Sequence, residues 1–301
     1  MTEGPDEVEI VKQFAANLYA RDKQLATVES YCRDANEFLR YLAQFKMPLK
    51  RVEPETLLAF RDHLSHSEKD RENSVRRKII GVRQFFRFLA SEKFITMTPF
   101  DEMPLPERDD GMKKPLARGK IEAMLKGMQA IGLKSSRDIA ILRLLAFEGV
   151  KANEIIDLQW KDFVAAQNKA SLFIGGTKGR SIFLFPETAA ALKKYKDIID
   201  DWKGTRHDST NEAFRNIFVS FKGKDGSLVS PKLTRHGLKF SLYEIGERFQ
   251  IPHLNTENLR HYAIEHLLGE GWDAEDIMQH LGLRRLGNIA KHMARRRQDV
   301  S

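Results

Sequence analysis

The chain has 301 residues, 42% of them hydrophobic and 31% charged, with a formal net charge of +8. That length favours two domains over one, and the mixture of apolar and charged residues excludes a disordered or collagen-like chain. No apolar run approaches the roughly 18 residues of a membrane helix. The opening MTEGPDEVEI carries acids and no apolar signal core, so the expectation is a cytoplasmic protein with no membrane partner. The one cysteine, Cys32, reads as a small buried helix residue, with no internal disulfide available to it.

Residues 7–98 read as helices. Val8, Val11, Phe14, Ala15 and Leu18 form one face of a first helix over Glu7 to Tyr19. Thr27 starts a second, with Tyr31, Ala35, Phe38, Leu39 and Leu42 as its stripe, and Pro54 opens a third carrying Leu57, Leu58, Phe60, Arg61 and Leu64. After a polar loop from Ser65 to Asn73, Ser74 caps a fourth with Val75, Ile79, Val82, Phe85, Phe86 and Leu89 apolar. Phe85 and Phe86 belong to the core rather than to a base-stacking surface. Four short amphipathic helices make a compact all-α domain over residues 1–98.

A linker follows over residues 99–115. Pro99, Pro104, Pro106, the charged run Glu107 to Gly111 and Pro115 break any helix. The second domain, residues 116–301, begins with helices over Arg118 to Met128 and Ser136 to Phe147. Ala170 to Ile174 and Ser181 to Phe185 then flank a turn containing Gly175, Gly176 and Gly179, the pattern of a β-hairpin. Pro186 starts a helix running through Ile199. The remainder reads as helical, with loops at Lys222 to Gly226 and Ile251 to Leu254. The fold class is therefore mainly α with a small β-sheet.

Charge separates the halves. Residues 1–110 carry 18 basic and 20 acidic side chains, while residues 111–301 carry 32 and 22, and Arg284 to Arg297 holds six basic residues and no acid. A basic domain attracts polyanions, nucleic acid first among them, although a basic surface is often only a solvated one.

Three segments of the second domain carry more specific information. One contains Arg137-Asp138-Ile139-Ala140-Ile141-Leu142, Gly149-Val150-Lys151-Ala152-Asn153-Glu154-Ile155 and Leu158-Gln159-Trp160-Lys161-Asp162-Phe163. The next is the hairpin bearing Lys178. The last holds Asn258-Leu259-Arg260-His261-Tyr262-Ala263 and Ile277-Met278-Gln279-His280-Leu281-Gly282-Leu283. In that order they resemble the catalytic domain of tyrosine recombinases, the phage integrase and Xer family. Ser74 to Phe86 and Thr27 to Leu42 resemble that family's N-terminal core-binding, SAM-like domain. The resemblance runs from about residue 7 to about residue 293, and it implies a C-shaped clamp around duplex DNA.

In that family two arginines grip the scissile phosphate by bidentate hydrogen bonds. A lysine or histidine protonates the leaving 5′ oxygen, and a tyrosine attacks phosphorus. The resemblance places Lys151 at the first arginine, Lys178 at the hairpin lysine and Glu257 at the histidine of the His-x-x-Arg motif, whose Arg260 is retained. It places Leu283 at the next histidine and His292, nine residues on, at the tyrosine. The last of the six tyrosines is Tyr262.

Lys151 keeps a charge but loses the planar guanidinium fork. A carboxylate such as Glu257 beside a phosphate repels it: two unit charges about 4 Å apart cost about 4 kcal/mol at an effective dielectric of about 20. The expectation is that Glu257 instead pairs with Lys151 or Arg260, the alternative being that it points to solvent. His292 is expected as a partly exposed helix residue rather than a replacement nucleophile. His261, Glu265 and His266 lack the HExxH spacing of a metal site, so neither metal nor cofactor is expected.

Duplex DNA is the expected partner. Phosphate contacts fall to Lys178, Arg180, Arg235, Lys239 and Arg260 in the second domain and to Arg76, Arg77 and Arg83 in the first, with Arg83 near the buried stripe. Only nine residues follow His292, too polar a tail to fill an apolar groove on a neighbour, which argues against a closed tetramer. The residues lead to an inactive recombinase relative kept for DNA binding, with a regulatory, accessory or architectural role, such as in a mobile element. Two alternatives stand beside it: a working recombinase with a rewired site, and a protein-interaction subunit that modulates an active recombinase.

Overall fold

A computed structural model describes residues 7–66, 71–96, 98, 100, 104–105, 116–166, 169–175, 179–204, 214–222 and 227–300. The chain divides into two compact units, residues 1–112 and 113–301.

The first unit contains α1 (Glu7–Ala20), α2 (Leu25–Gln44), α3 (Pro54–His66) and α4 (Glu72–Ser91). Its core is aromatic. Phe14, Phe38, Phe60, Phe85 and Phe86 are all at most 1% exposed, and edge-to-face pairs such as Phe38 with Phe60 at 4.9 Å suit the quadrupoles of the rings. The expected stripes face this core except at Val8, which is 58% exposed in the first turn of α1, while Ile10 takes an inward place the reading missed. The expected caps do not act: Thr27 and Ser74 lie inside α2 and α4, which open on the extended residues Gln24 and Arg71. Each of those two carbonyls begins the helical ladder, so no side-chain cap is required where solvent reaches the first amides. Phe100, read as linker, is 1% exposed and packs edge-on against Phe86 at 4.6 Å. An isolated aromatic among prolines carries no periodicity that would announce its burial.

The second unit runs α5 (Arg118–Gly127), α6 (Leu133–Ala146), α7 (Ala152–Asp157), β1 (Phe163–Ala165), β2 (Ala170–Ile174), β3 (Arg180–Phe183) and α8 (Pro186–Gly204). It continues with β4 (Ser220–Lys222), β5 (Ser227–Ser230), α9 (Arg235–Arg248), α10 (Thr256–Gly269), α11 (Ala274–Leu281) and α12 (Gly287–Val300). α6 is apolar on most of its circumference and packs against both α8 and α10.

The expected hairpin is β2 against β3, with Leu172 opposite Ile182. β1 adds a third antiparallel strand, and β4 with β5 forms a second hairpin where the pattern read as helix and loop. Strands of three or four residues place at most two side chains on each face, too few for alternation to show in the sequence. Ala170, Leu172, Ile174 and Ile182 face the core, while Val164, Phe173 and Phe183 stand on the open face.

Candidate functional site

The site grows from the turn between α6 and α7. Gly149 has φ +60, and a Cβ there would stand 2.1 Å from Leu281 Cδ2, so only glycine fits. The turn aims the Gly149 carbonyl at Arg260, whose NH1 donates to it at 2.6 Å. Arg260 NH2 donates to the Leu281 carbonyl at 2.8 Å. α10 and α11 are both begun by side-chain caps, Asn255 accepting from the Asn258 amide and Asp273 from the Asp276 amide. α11 ends at Gly282 in the left-handed region, φ 60.

Three cations converge on that end. Arg180 Nε donates to the His280 carbonyl at 2.8 Å, Arg260 to that of Leu281, and Lys151 Nζ to that of Gly282 at 3.1 Å. The exposed carbonyls at a helix C-terminus carry partial negative charge, and here three successive ones are each met by a positive side chain. One carboxylate completes the group. Glu154 takes Arg180 NH1 and NH2 at 2.8 and 3.0 Å, accepts the Lys151 amide at 2.8 Å, and lies 3.5 Å from Lys151 Nζ. Burial, with Arg180 nearby, holds the Arg260 guanidinium down to about 10, against the pull of Glu154. Burial also lowers Lys151, opposed by Glu154 and aided by the two arginines.

Three expectations change here. Arg180 is 14% exposed and all three of its nitrogens donate within the protein, so it braces β3 against α7 and α11. Glu257 is exposed, and the acid that meets Lys151 and Arg180 is Glu154, one turn along α7 from Lys151. His292 is 1% exposed, not partly exposed. Its Nδ1 lies 2.5 Å from Glu265 Oε1 and its Nε2 3.0 Å from His261 Nδ1, so carboxylate and two imidazoles form a chain between α10 and α12. Leu283 is half-buried against the apolar cluster of Ile264, Leu267, Ile277, Leu281 and Ile289. Lys178 lies outside the described residues.

Two buried groups went unread in the sequence. Glu148, 0% exposed, accepts the Phe185 amide at 2.9 Å and has His280 Nε2 3.2 Å away. Arg137, 2% exposed, bonds Asp138, the Val219 carbonyl and Ser241. Glu148 offers only the signal of a charge beside Phe147 and Val150, and Arg137, next to Asp138 and after two serines, offers none.

The Phage integrase family profile matches residues 115–296, and the profile for the phage integrase N-terminal SAM-like domain matches residues 11–93. The chain belongs to the phage integrase family. It is 24% identical over 267 residues to tyrosine recombinase XerC of Staphylococcus aureus, covering 88% of this chain and 85% of the relative. It is also 24% identical over 258 residues to that of Herpetosiphon aurantiacus, covering 85% and 80%. Among solved structures, XerH recombinase bound to palindromic difH substrate in a post-cleavage complex shares the fold at TM-score 0.68 and 18% identity, covering 98% of this chain and 83% of that one. The Tn1549 transposon integrase in complex with circular intermediate DNA does so at 0.67 and 14%, covering 94% of each.

In this member of the phage integrase family Tyr19 lies on α1, Tyr31 and Tyr41 on α2, Tyr195 on α8 and Tyr243 on α9, while Tyr262 shares α10 with Arg260. Tyr262, although two residues from Arg260, is 2% exposed and lines a different cleft. Of the other expected DNA-facing cations, Arg235 and Lys239 are exposed one turn apart on α9, whose first turn is capped by Thr234. Arg76 and Arg83 are half-buried on α4. Arg77 is held at 2.6 Å by both Asp34, itself 1% exposed, and Ser30. It therefore ties α4 to α2 while keeping 45% of its side chain exposed.

Glu154 makes the cluster sensitive to acid. Burial alone would raise its pKa, but the hydrogen bonds from Arg180 and the Lys151 amide bring it below the ordinary 4.5. The folded protein thus binds this proton less tightly than the unfolded chain, so its contribution is full above the unfolded value and lost as pH falls through the folded one. Thermal unfolding of Glu154→Gln is expected to show a lower Tm at neutral pH and a flatter decline than wild type between about pH 5 and pH 3. Parallel curves for the two proteins would refute this.

Proposed function

We propose that this chain is a duplex-DNA-binding member of the phage integrase family that does not cleave DNA, serving as a regulatory, accessory or architectural factor. One observation carries the reading. At the position where the family resemblance puts the tyrosine, His292 is buried and hydrogen-bonded on both ring nitrogens, while Arg180, Arg260 and Lys151 are occupied by the end of α11 and by Glu154. A nucleophile needs an accessible atom, and a phosphate clamp needs donors aimed at the phosphate. A buried His292 and cations turned toward the end of α11 support a binding role over a cleaving one.

DNA binding is supported by the basic composition of residues 111–301 and by the exposed Arg235 and Lys239 on α9. Phosphate contacts release counterions, so affinity for duplex is expected to fall steeply with salt. In gel shifts at several salt concentrations, replacing both Arg235 and Lys239 by glutamate is expected to weaken binding and lower the log–log salt slope by about two. Duplex that fails to bind wild type at low salt would favour a protein-interaction subunit instead. A covalent adduct trapped on a nicked suicide substrate would return the chain to the working recombinases.

A further inference from the structure

A second cleft, of about 270 Å³, lies beyond the cation cluster along α10. The start of α5, the second half of α10 and the end of α12 supply Arg118, Tyr262, His266, Gly269 and Arg296 to its wall. A Cβ built on Gly269 would stand 3.6 Å from Arg118 NH1 and 3.9 Å from Arg296 NH2. Two guanidinium groups from separate helices thus reach one point, over a residue that has no side chain to obstruct them.

Two residues of the same wall, Tyr262 and His266, each carry a buried polar atom. Tyr262 Oη and His266 Nδ1 have no hydrogen-bond partner among the described residues, although Tyr262 is 2% exposed. Such atoms cost free energy unless something bonds them. Burial, together with Glu122, pushes the phenol up to about 12, so it remains a donor at physiological pH. Arg296 has no carboxylate within ion-pair range among the described residues. Arg118 bonds Glu122 at 2.9 Å and reaches Glu270 at 3.5 Å. The remaining acid on the wall, Glu265, is engaged by His292, and the nearest carboxylate oxygen to His266 Nδ1 is that of Glu270, 3.8 Å away.

We propose that this cleft binds phosphate, either the inorganic ion or the phosphomonoester end of a small molecule. Tetrahedral oxygens can meet Arg118, Arg296 and the Tyr262 hydroxyl from different directions, and a dianion competes with the carboxylates already beside Arg118 better than a monoanion would. A DNA backbone diester fits less well, because both of its ester arms would have to leave a cleft whose phenol is almost wholly buried. A bound phosphate would link α5, α10 and α12, and so fasten the helix that carries His292.

The test is calorimetric titration of the full-length protein with inorganic phosphate at constant ionic strength, alongside Tyr262→Phe and Arg296→Ala. Wild type is expected to show saturable binding and a Tm that rises with phosphate concentration. Tyr262→Phe removes one oxygen that has no internal partner, so its fold should persist while phosphate affinity drops about tenfold, as loss of a hydrogen bond to a charged group does. Arg296→Ala should lose at least as much. Absence of saturation in wild type, equal affinity in all three proteins, or displacement of phosphate by a short unphosphorylated duplex would each overturn the proposal.

Discussion

Exchanging His292 for tyrosine is expected to yield no covalent protein–DNA complex on a nicked suicide duplex, even though it supplies the phenol that the proposed reading finds missing. A nucleophile acts only within a prepared field. Each missing oxyanion-type donor costs about 10²–10³ in rate, and absence of a general acid costs about another 10²–10⁴. Here Arg260 is desolvated and bonded to two carbonyls, and on the proposed reading Lys151 stands at an arginine position and Glu257 and Leu283 at those of the family's two histidines. The exchange also breaks the chain from Glu265 through His292 to His261. Losing two hydrogen bonds to the half-buried Glu265 and His261 is expected to cost about 1–3 kcal/mol, so the Tm of His292→Tyr should fall below that of wild type. Adduct is expected first in the combined variant Lys151→Arg, Glu257→His, Leu283→His, His292→Tyr. A denaturing gel showing it with the single exchange would overturn the account of the site.

Arg137→Ala is expected to destabilise the second unit more than Glu154→Gln or His292→Tyr. Asp138 is 6% exposed, and burial holds its pKa up despite Arg137 beside it. Removing the guanidinium strands that carboxylate together with the Val219 carbonyl and the Ser241 hydroxyl. Breaking a buried pair from one side costs about 3–5 kcal/mol, which for a unit of this size lowers Tm by roughly 6–20 °C. The loss should be partly recovered in Arg137→Met with Asp138→Leu, because an apolar pair leaves no charge to solvate. Since Arg137 ties α6 to α9 through Ser241, the DNA affinity proposed to run through Arg235 and Lys239 should fall with it. Calorimetry decides: a Tm for Arg137→Ala within two degrees or so of wild type would show that the pair is not a keystone.

The sequence by itself determined the four-helix arrangement of the first unit, the β2–β3 hairpin and the family. Periodicity over ten or more residues and glycine-bearing turns are local properties, and they survive without knowledge of the partner surface. Short strands such as β1, β4 and β5 fell below that limit, as did Phe100.

The side-chain partners were decided only by tertiary structure. Lys151, Arg180 and Arg260 could be listed from the sequence as cations, but the residues that engage them, His280 to Gly282 and Glu154, depend on α11 ending beside the turn at Gly149. Glu154 and Glu257 are the same residue type, and nothing local tells which of the two meets Lys151 and Arg180. His292 was likewise assigned to a partly exposed surface until α12 lay against α10 and enclosed it. Electrostatic pairing and burial are set by three-dimensional distance between segments separated by anything from 21 to 131 residues, and a linear pattern does not contain that distance.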